Sequence, residues 1–172
     1  MDKQIVSGVF ATHDSAELAV KAMIEAGVAA NHVSIITKNL ESTEQVQGFI
    51  TTSDGATAGA SSGAWWGGLL GLLFGVAVLW IPGVGPIVAA GTLTAALLGA
   101  LEGAAIGTAS GVLVGALVGY GFSQDKALKL QSLVIKGDFV VVVQGSRTEV
   151  RTAYDVLTVR DASEVETEDF QS

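Results

Sequence analysis

The chain contains no cysteine, which removes disulfides and thiolate chemistry. Histidine is almost as scarce: His13 and His32 are the whole supply. Each stands beside a helix or strand boundary, and neither belongs to a set of three or four ligands at recognisable spacing, so the expectation is surface or capping roles and no metal site. Charge is thin and unevenly spread. Charged residues make up 15% of the chain, no Lys or Arg occurs between Lys38 and Lys126, and Glu102 is the one acid between Gly55 and Gln124. The net charge of −8, with no basic patch to release phosphate counterions, excludes nucleic acid as a partner. It also leaves no polybasic anchor for anionic lipid. A basic stretch followed by an apolar core is missing from the first thirty residues, so both ends are expected to stay in the cytosol. The Gly83-Val84-Gly85-Pro86 run has neither the third glycine of a dinucleotide fingerprint nor the Gly-Lys-Ser/Thr of a phosphate loop. No nucleophile elbow or other catalytic spacing appears. The expectation is a protein with no catalytic residues and no cofactor.

What the chain has in abundance is glycine at a fixed spacing. Gly55, Gly59, Gly63, Gly67, Gly71 and Gly75 form one period-four series, and Gly99, Gly103, Gly107, Gly111, Gly115 and Gly119 form another. Seventeen of the 22 glycines and all three tryptophans lie in the uncharged region. Each glycine inside a helix costs roughly 1 kcal/mol relative to alanine, so strict spacing implies backbones that touch. Folding about Gly85 sets Gly71 opposite Gly99, Gly67 opposite Gly103 and Gly63 opposite Gly107. The spacing therefore predicts a helical hairpin over 51–121, with Pro82, Gly83, Gly85 and Pro86 as its turn and close helix packing of the Gly-x-x-x-Gly kind. A run from Trp65 to Ile81 spans about 25 Å as a helix, the lower limit for crossing a bilayer. Trp65 and Trp66 at one end and Trp80 at the other take the places of an aromatic belt. The second helix, to about Tyr120, is roughly 50 Å if unbroken and outruns the hydrocarbon core. A period-four line also drifts about 40° per step around a helix, so outer glycines are expected to meet sister subunits. Glu102 falls near the cytosolic boundary, where a structural, water-reaching role is favoured over ion or proton movement.

The polar ends read as the two halves of one α/β domain. Residues 4–11 predict a strand, and Asp14 with Glu17 predicts a capping box opening a helix. That helix carries an apolar stripe of Ala16, Ala19, Val20, Met23 and Ile24 and ends at Gly27. Residues 33–37 predict a second strand. The unit returns about 132 residues later: strand 139–143, a capping box of Ser146 and Glu149, a helix stripe of Val150, Ala153, Tyr154 and Leu157, and a weak strand near 163–168. Glu164, Glu166, Glu168 and Asp169 leave a solvated acidic tail open as the alternative for that last stretch. A helix at about 123–136 precedes Phe139. The expected fold is α+β: a ferredoxin-like split βαβ domain (1–50 and 122–172) interrupted by a long Gly-zipper α-helical hairpin (51–121).

This order of parts resembles the bacterial general stress protein family, including its heat-induced and low-temperature-induced relatives. The N-terminal match is Val9-Phe10, Ala16, Ala19-Val20, Ala26-Gly27 and Val33-Ser34-Ile35-Ile36. The more specific one is Ile81-Pro82-Gly83-Val84-Gly85-Pro86 with the Ala89-Ala90-Gly91 that follows. Gly119-Tyr120-Gly121-Phe122 with Ala127, and Lys136-Gly137 before the last long strand, complete it. Leu128-Lys129-Leu130 and Phe122-Ser123 depart from the tyrosines and proline common in that family. The resemblance implies a stress-associated, membrane-linked α/β protein with no established reaction or cofactor. The leading expectation is a non-enzymatic, self-associating protein of the cytoplasmic membrane, with the lipid bilayer and copies of itself as partners. A soluble shell or filament burying the hairpins, and a pore formed by them, are the alternatives.

Overall fold

The computed structural model describes residues 3–38, 76–81, 85–103 and 109–169. In chain order the elements are β1 (Gln4–Phe10), α1 (His13–Glu25), a 3-10 turn (Ala30–His32), β2 (Val33–Thr37), β3 (Val76–Ile81), β4 (Gly85–Ala90), α2 (Leu93–Gly103), α3 (Ala109–Tyr120), α4 (Gln124–Lys136), β5 (Phe139–Gly145), α5 (Arg147–Val159) and β6 (Ser163–Asp169). The strands form one sheet in the order β3-β4-β2-β5-β1-β6, and every neighbouring pair is antiparallel. β1 and β2 therefore run parallel to each other with β5 between them, and β5 and β6 run parallel with β1 between them.

Both faces of the sheet are covered. Val6, Phe10, Val33, Ile35, Phe139, Val141 and Val143 pack beneath α1 and α5, through Ala16, Ala19, Val20 and Met23 on one helix and Val150, Ala153 and Leu157 on the other. On the opposite face Ile5, Val9, Ile36, Ile87, Val140 and Val142 meet Leu93, Leu97, Leu113, Leu117, Leu130 and Val134 of α2, α3 and α4. A strand buried on both faces has no polar alternation, which is why β5 reads Phe-Val-Val-Val-Val.

The helical hairpin expected over 51–121 is corrected in its central part. Residues 76–81 and 85–90 are strands, and Ile81 pairs with Gly85, so the chain reverses where the turn was expected but between two strands. The stretch read as one helix to Tyr120 is instead β4, α2 and α3, with α2 and α3 packed on each other. A short apolar run does not distinguish a strand from a buried helix by periodicity. Val76, Val78, Trp80, Ile81, Ile87 and Val88 carry the β-branched and aromatic bias of strands. Pro86 is tolerated because it lies before the β2 ladder, which engages β4 only at Val88–Ala90. Residues 39–75, including Gly55 to Gly75, Trp65 and Trp66, lie outside the described residues, as do Pro82, Gly83 and Gly107.

Two further boundaries differ from expectation. The N-cap of α1 is Thr12, whose side chain accepts from the Ser15 amide. The helix thus starts two residues early, Glu17 is no longer in the capping position, and its side chain is largely buried. The last strand forms over 163–169 and pairs with β1. Its acids are partnered: Lys129 bridges Glu164 and Glu166, Lys126 bridges Glu166 and Glu168, and the Ser123 amide at the start of α4 donates to Glu168 at 2.7 Å. The hydrogen bond from Lys129 holds the Glu166 carboxyl below its ordinary value.

Gly91 makes the strand-to-helix corner between β4 and α2. Its φ is +92°, and a Cβ there would collide with the Val33 carbonyl oxygen and approach Ser34 Oγ at 2.7 Å. Both the left-handed conformation and the backbone contact demand glycine. Gly91→Ala is expected to cost about 2–4 kcal/mol, measured as a lower urea midpoint with an unchanged slope.

Candidate assembly face and polar clusters

α3 carries no charged residue along its length. Val112, Leu113, Ala116, Leu117 and Tyr120 are buried against the sheet. Gly111, Gly115 and Gly119 line the opposite side, exposed, and among the described residues nothing lies within 4 Å of a Cβ built on any of them. Gly99 on α2 is equally open. Leu98 and Val118 flank these glycines at 46% and 43% exposure. The outer surface of α2 and α3 is thus smooth, apolar and uncharged where it is described. Gly103 and Glu102 stand in the last turn of α2, Gly85 and Pro86 in β4 and Trp80 in β3. No described helix is long and apolar enough to cross a membrane.

Three polar clusters lie elsewhere. Beneath the α2–α3 layer, Thr92 Oγ1 and Tyr120 Oη are 2.7 Å apart, and the Leu93 amide donates to Ser34 Oγ at 3.2 Å. Ser34 on β2 therefore satisfies an orphan donor at the start of α2, while Gln144 Nε2 donates to the Tyr120 carbonyl at 3.1 Å. These contacts tie both helices to the sheet, and position alone marks none of their residues in the sequence. The second cluster is His13, Asp14 and Glu17 in the first turn of α1, whose ligand atoms lie within 4.8 Å of one another. His13 thus stands in a group of three possible ligands, where the spacing alone leads to the expectation of none. His13 Nδ1 is 3.5 Å from Asp14 and 3.8 Å from Glu17, and its ring meets Phe139 edge-on at 5.8 Å. The three could share a cation, against the positive end of the helix on which they stand.

The third cluster joins the two halves of the chain. The expected capping box of Ser146 and Glu149 is present in full. The Glu149 carboxylate also meets His32 Nδ1 at 2.9 Å and accepts from the Ala29 amide at 3.4 Å. Gly145 makes room: a Cβ there would come within 2.8 Å of Glu149 and 3.2 Å of His32. Burial pushes the Glu149 carboxyl up, but the hydrogen bonds from Ser146, His32 and Ala29 outweigh it and hold the group at about 2, against 4.5 ordinarily.

Residues 6–79 match the family model of the heat induced stress protein YflT domain. The match supports a bacterial stress protein family. It takes in most of β1, all of α1 and β2 and the start of β3, and stops before the Ile81–Gly91 stretch on which the more specific resemblance was drawn. No curated protein and no solved structure matches the chain.

A carboxyl held low in the folded state stabilises above its unfolded value, and that stability is lost as pH falls toward the folded value. Wild type is expected to lose on the order of 2 kcal/mol through Glu149 between about pH 4.5 and pH 2. Urea unfolding across that range should show a shallower acid loss in Glu149→Gln, which starts less stable at pH 7.

Proposed function

We propose that this chain is a stress-associated, non-enzymatic protein that assembles with copies of itself through the outer face of α2 and α3. The observation that carries this is the exposed, chargeless side of α3. A helix that is apolar all round is ordinarily covered, and exposed apolar patches rimmed by polar residues mark interaction surfaces. Gly111, Gly115 and Gly119 at every fourth position let a second backbone approach closely, which yields dispersion and Cα–H···O contacts. The match to a heat-induced stress domain supports the stress association.

On this reading the β2-β5-β1-β6 core, with α1 and α5 on one face, is a ferredoxin-like pair of βαβ units. The link between β2 and β5, a short hairpin in the simplest form of that fold, is here expanded. Its described part extends the sheet by β3 and β4 and covers the second face with α2, α3 and α4. The expansion thus places the apolar surface on the side away from α1 and α5.

A second reading has the same face lying on a lipid bilayer, favoured by the absence of any charge on α3 and by the exposed Leu98 and Val118. In that case the protein is peripheral where it is described, with α3 in the interface plane.

Sedimentation and vesicle flotation separate the two. Wild type without detergent is expected to form a defined oligomer, and Gly115→Leu to be monomeric with folded stability kept or raised, since leucine is the better helix former by roughly 1 kcal/mol. An oligomer that survives in both Gly115→Leu and Gly119→Leu would overturn assembly through this face. A monomer that floats with vesicles, more tightly after Gly115→Leu, would establish the lipid reading.

A further inference from the structure

A cleft of about 440 Å³ lies between α5 and the β1–β6 edge of the sheet, lined by Gln4, Arg147, Val150, Arg151, Tyr154, Asp155 and Thr167. It is on the face of the sheet opposite the proposed assembly surface, and nothing in that reading uses it. Gln4 and Thr167 face it from the sheet, in register with Val6, which pairs with Thr167 and packs beneath α5. The α5 residues recur at the third and fourth positions and form a single stripe, with Val150 buried at its floor and Tyr154 exposed by 40%.

The charge along that stripe is ordered. All three arginines of this acidic chain are on or at the end of α5, at positions 147, 151 and 160, and two of them line the cleft. Most lysines near the sheet are already opposed by acids, Lys126 and Lys129 by the β6 glutamates and Lys136 by Asp138. Arg147 is engaged within the fold. Arg151 has no carboxylate at ion-pair distance among the described residues, so a guanidinium fork stands open at the mouth of a cavity in a protein of net charge −8. Such a fork matches the oxygens of phosphate or carboxylate bidentately. Asp155, at the other end of the stripe, repels an anion and accepts hydrogen bonds from hydroxyl or amino groups. Tyr154, between the two, offers a half-exposed ring face for stacking.

We propose that this cleft binds a nucleoside monophosphate: phosphate at Arg151 and Arg147, the flat base against Tyr154, and sugar or base donors toward Asp155. The stripe from Arg147 to Asp155 is about 12 Å long, which suits a ligand with its anionic and neutral ends at opposite poles. The volume falls in the range of small-molecule sites. A bare anion would use only one end of the arrangement and leave Tyr154 and Asp155 without a role.

The test is a titration of the full chain with adenosine 5′-monophosphate, inorganic phosphate and adenosine, followed by amide and side-chain NMR shifts at residues 147–155. Adenosine monophosphate is expected to shift this segment and to bind about tenfold more tightly than either fragment. Arg151→Ala should weaken it about tenfold or more, and Tyr154→Ala should weaken adenosine monophosphate while leaving inorganic phosphate unchanged. Arg160→Ala, which removes an arginine outside the cleft, should change nothing. The proposal is overturned if millimolar adenosine monophosphate leaves the segment unshifted, if phosphate alone binds as well as the nucleotide, or if Arg151→Ala and Arg160→Ala lose affinity equally. Arg151, Tyr154 and Arg160 are exposed, so the variants keep the fold, and oligomeric state measured alongside separates this outcome from the assembly reading.

Discussion

The structure depends on β5 entering the gap between β1 and β2. Phe139 to Val143 are buried on both faces, and the strand forms a ladder with β1 on one side and β2 on the other. Neither neighbour reaches the other without it. The first βαβ unit, residues 4–37, therefore has no continuous sheet of its own until the chain has run a further hundred residues and returned. The described elements between, β3, β4, α2 and α3, all lie in the chain between the end of β2 and α4, which leads to the start of β5. β4, α2 and α3 pack against the sheet.

The halves are locked as well as paired. Glu149 opens α5 as a capping-box residue and, in the same position, accepts from groups on the turn before β2. A carboxylate that receives this many hydrogen bonds stays ionised and resists displacement. The opposite corner is held by Ser34, Thr92 and Tyr120, and by a glycine whose conformation no other residue adopts without strain. Helix capping, sheet register and the joining of distant segments thus share the same few polar groups.

Residues whose signals are local were legible in the sequence. Ser146 and Glu149 three apart announced the start of α5, the Ala16 to Met23 stripe announced α1, and the unbroken valines announced β5. The cap at Thr12 is less legible, because Asp14 and Glu17 two residues on match the stronger capping-box pattern. β3 and β4 were hidden for another reason. The period-four glycines on either side suggested helix throughout, and the deciding fact, a free edge on β2 for β4 to join, is tertiary. The His32 contact to Glu149 spans 117 residues and leaves no mark on either local pattern. The cleft beside α5 was invisible in the same way: its stripe of Arg147, Arg151 and Tyr154 reads as an ordinary solvated helix face until Gln4 and Thr167 are brought opposite.

The glycines of α3 pose the remaining question. A glycine in a helix interior costs roughly 1 kcal/mol against alanine, and natural sequences that break a local rule at regular intervals usually recover the loss elsewhere. At Gly91 the recovery is visible within the chain, because the corner cannot close with a Cβ present. At Gly111, Gly115 and Gly119 it is not, since nothing described lies within reach of a Cβ there. Alanine at all three would stabilise the isolated fold and would still be small. What glycine alone adds is a backbone that can be touched, and a groove of that kind has energetic meaning only when another surface is pressed into it. The cost borne by α3 in isolation is thus the strongest physical argument for the proposed assembly along that helix.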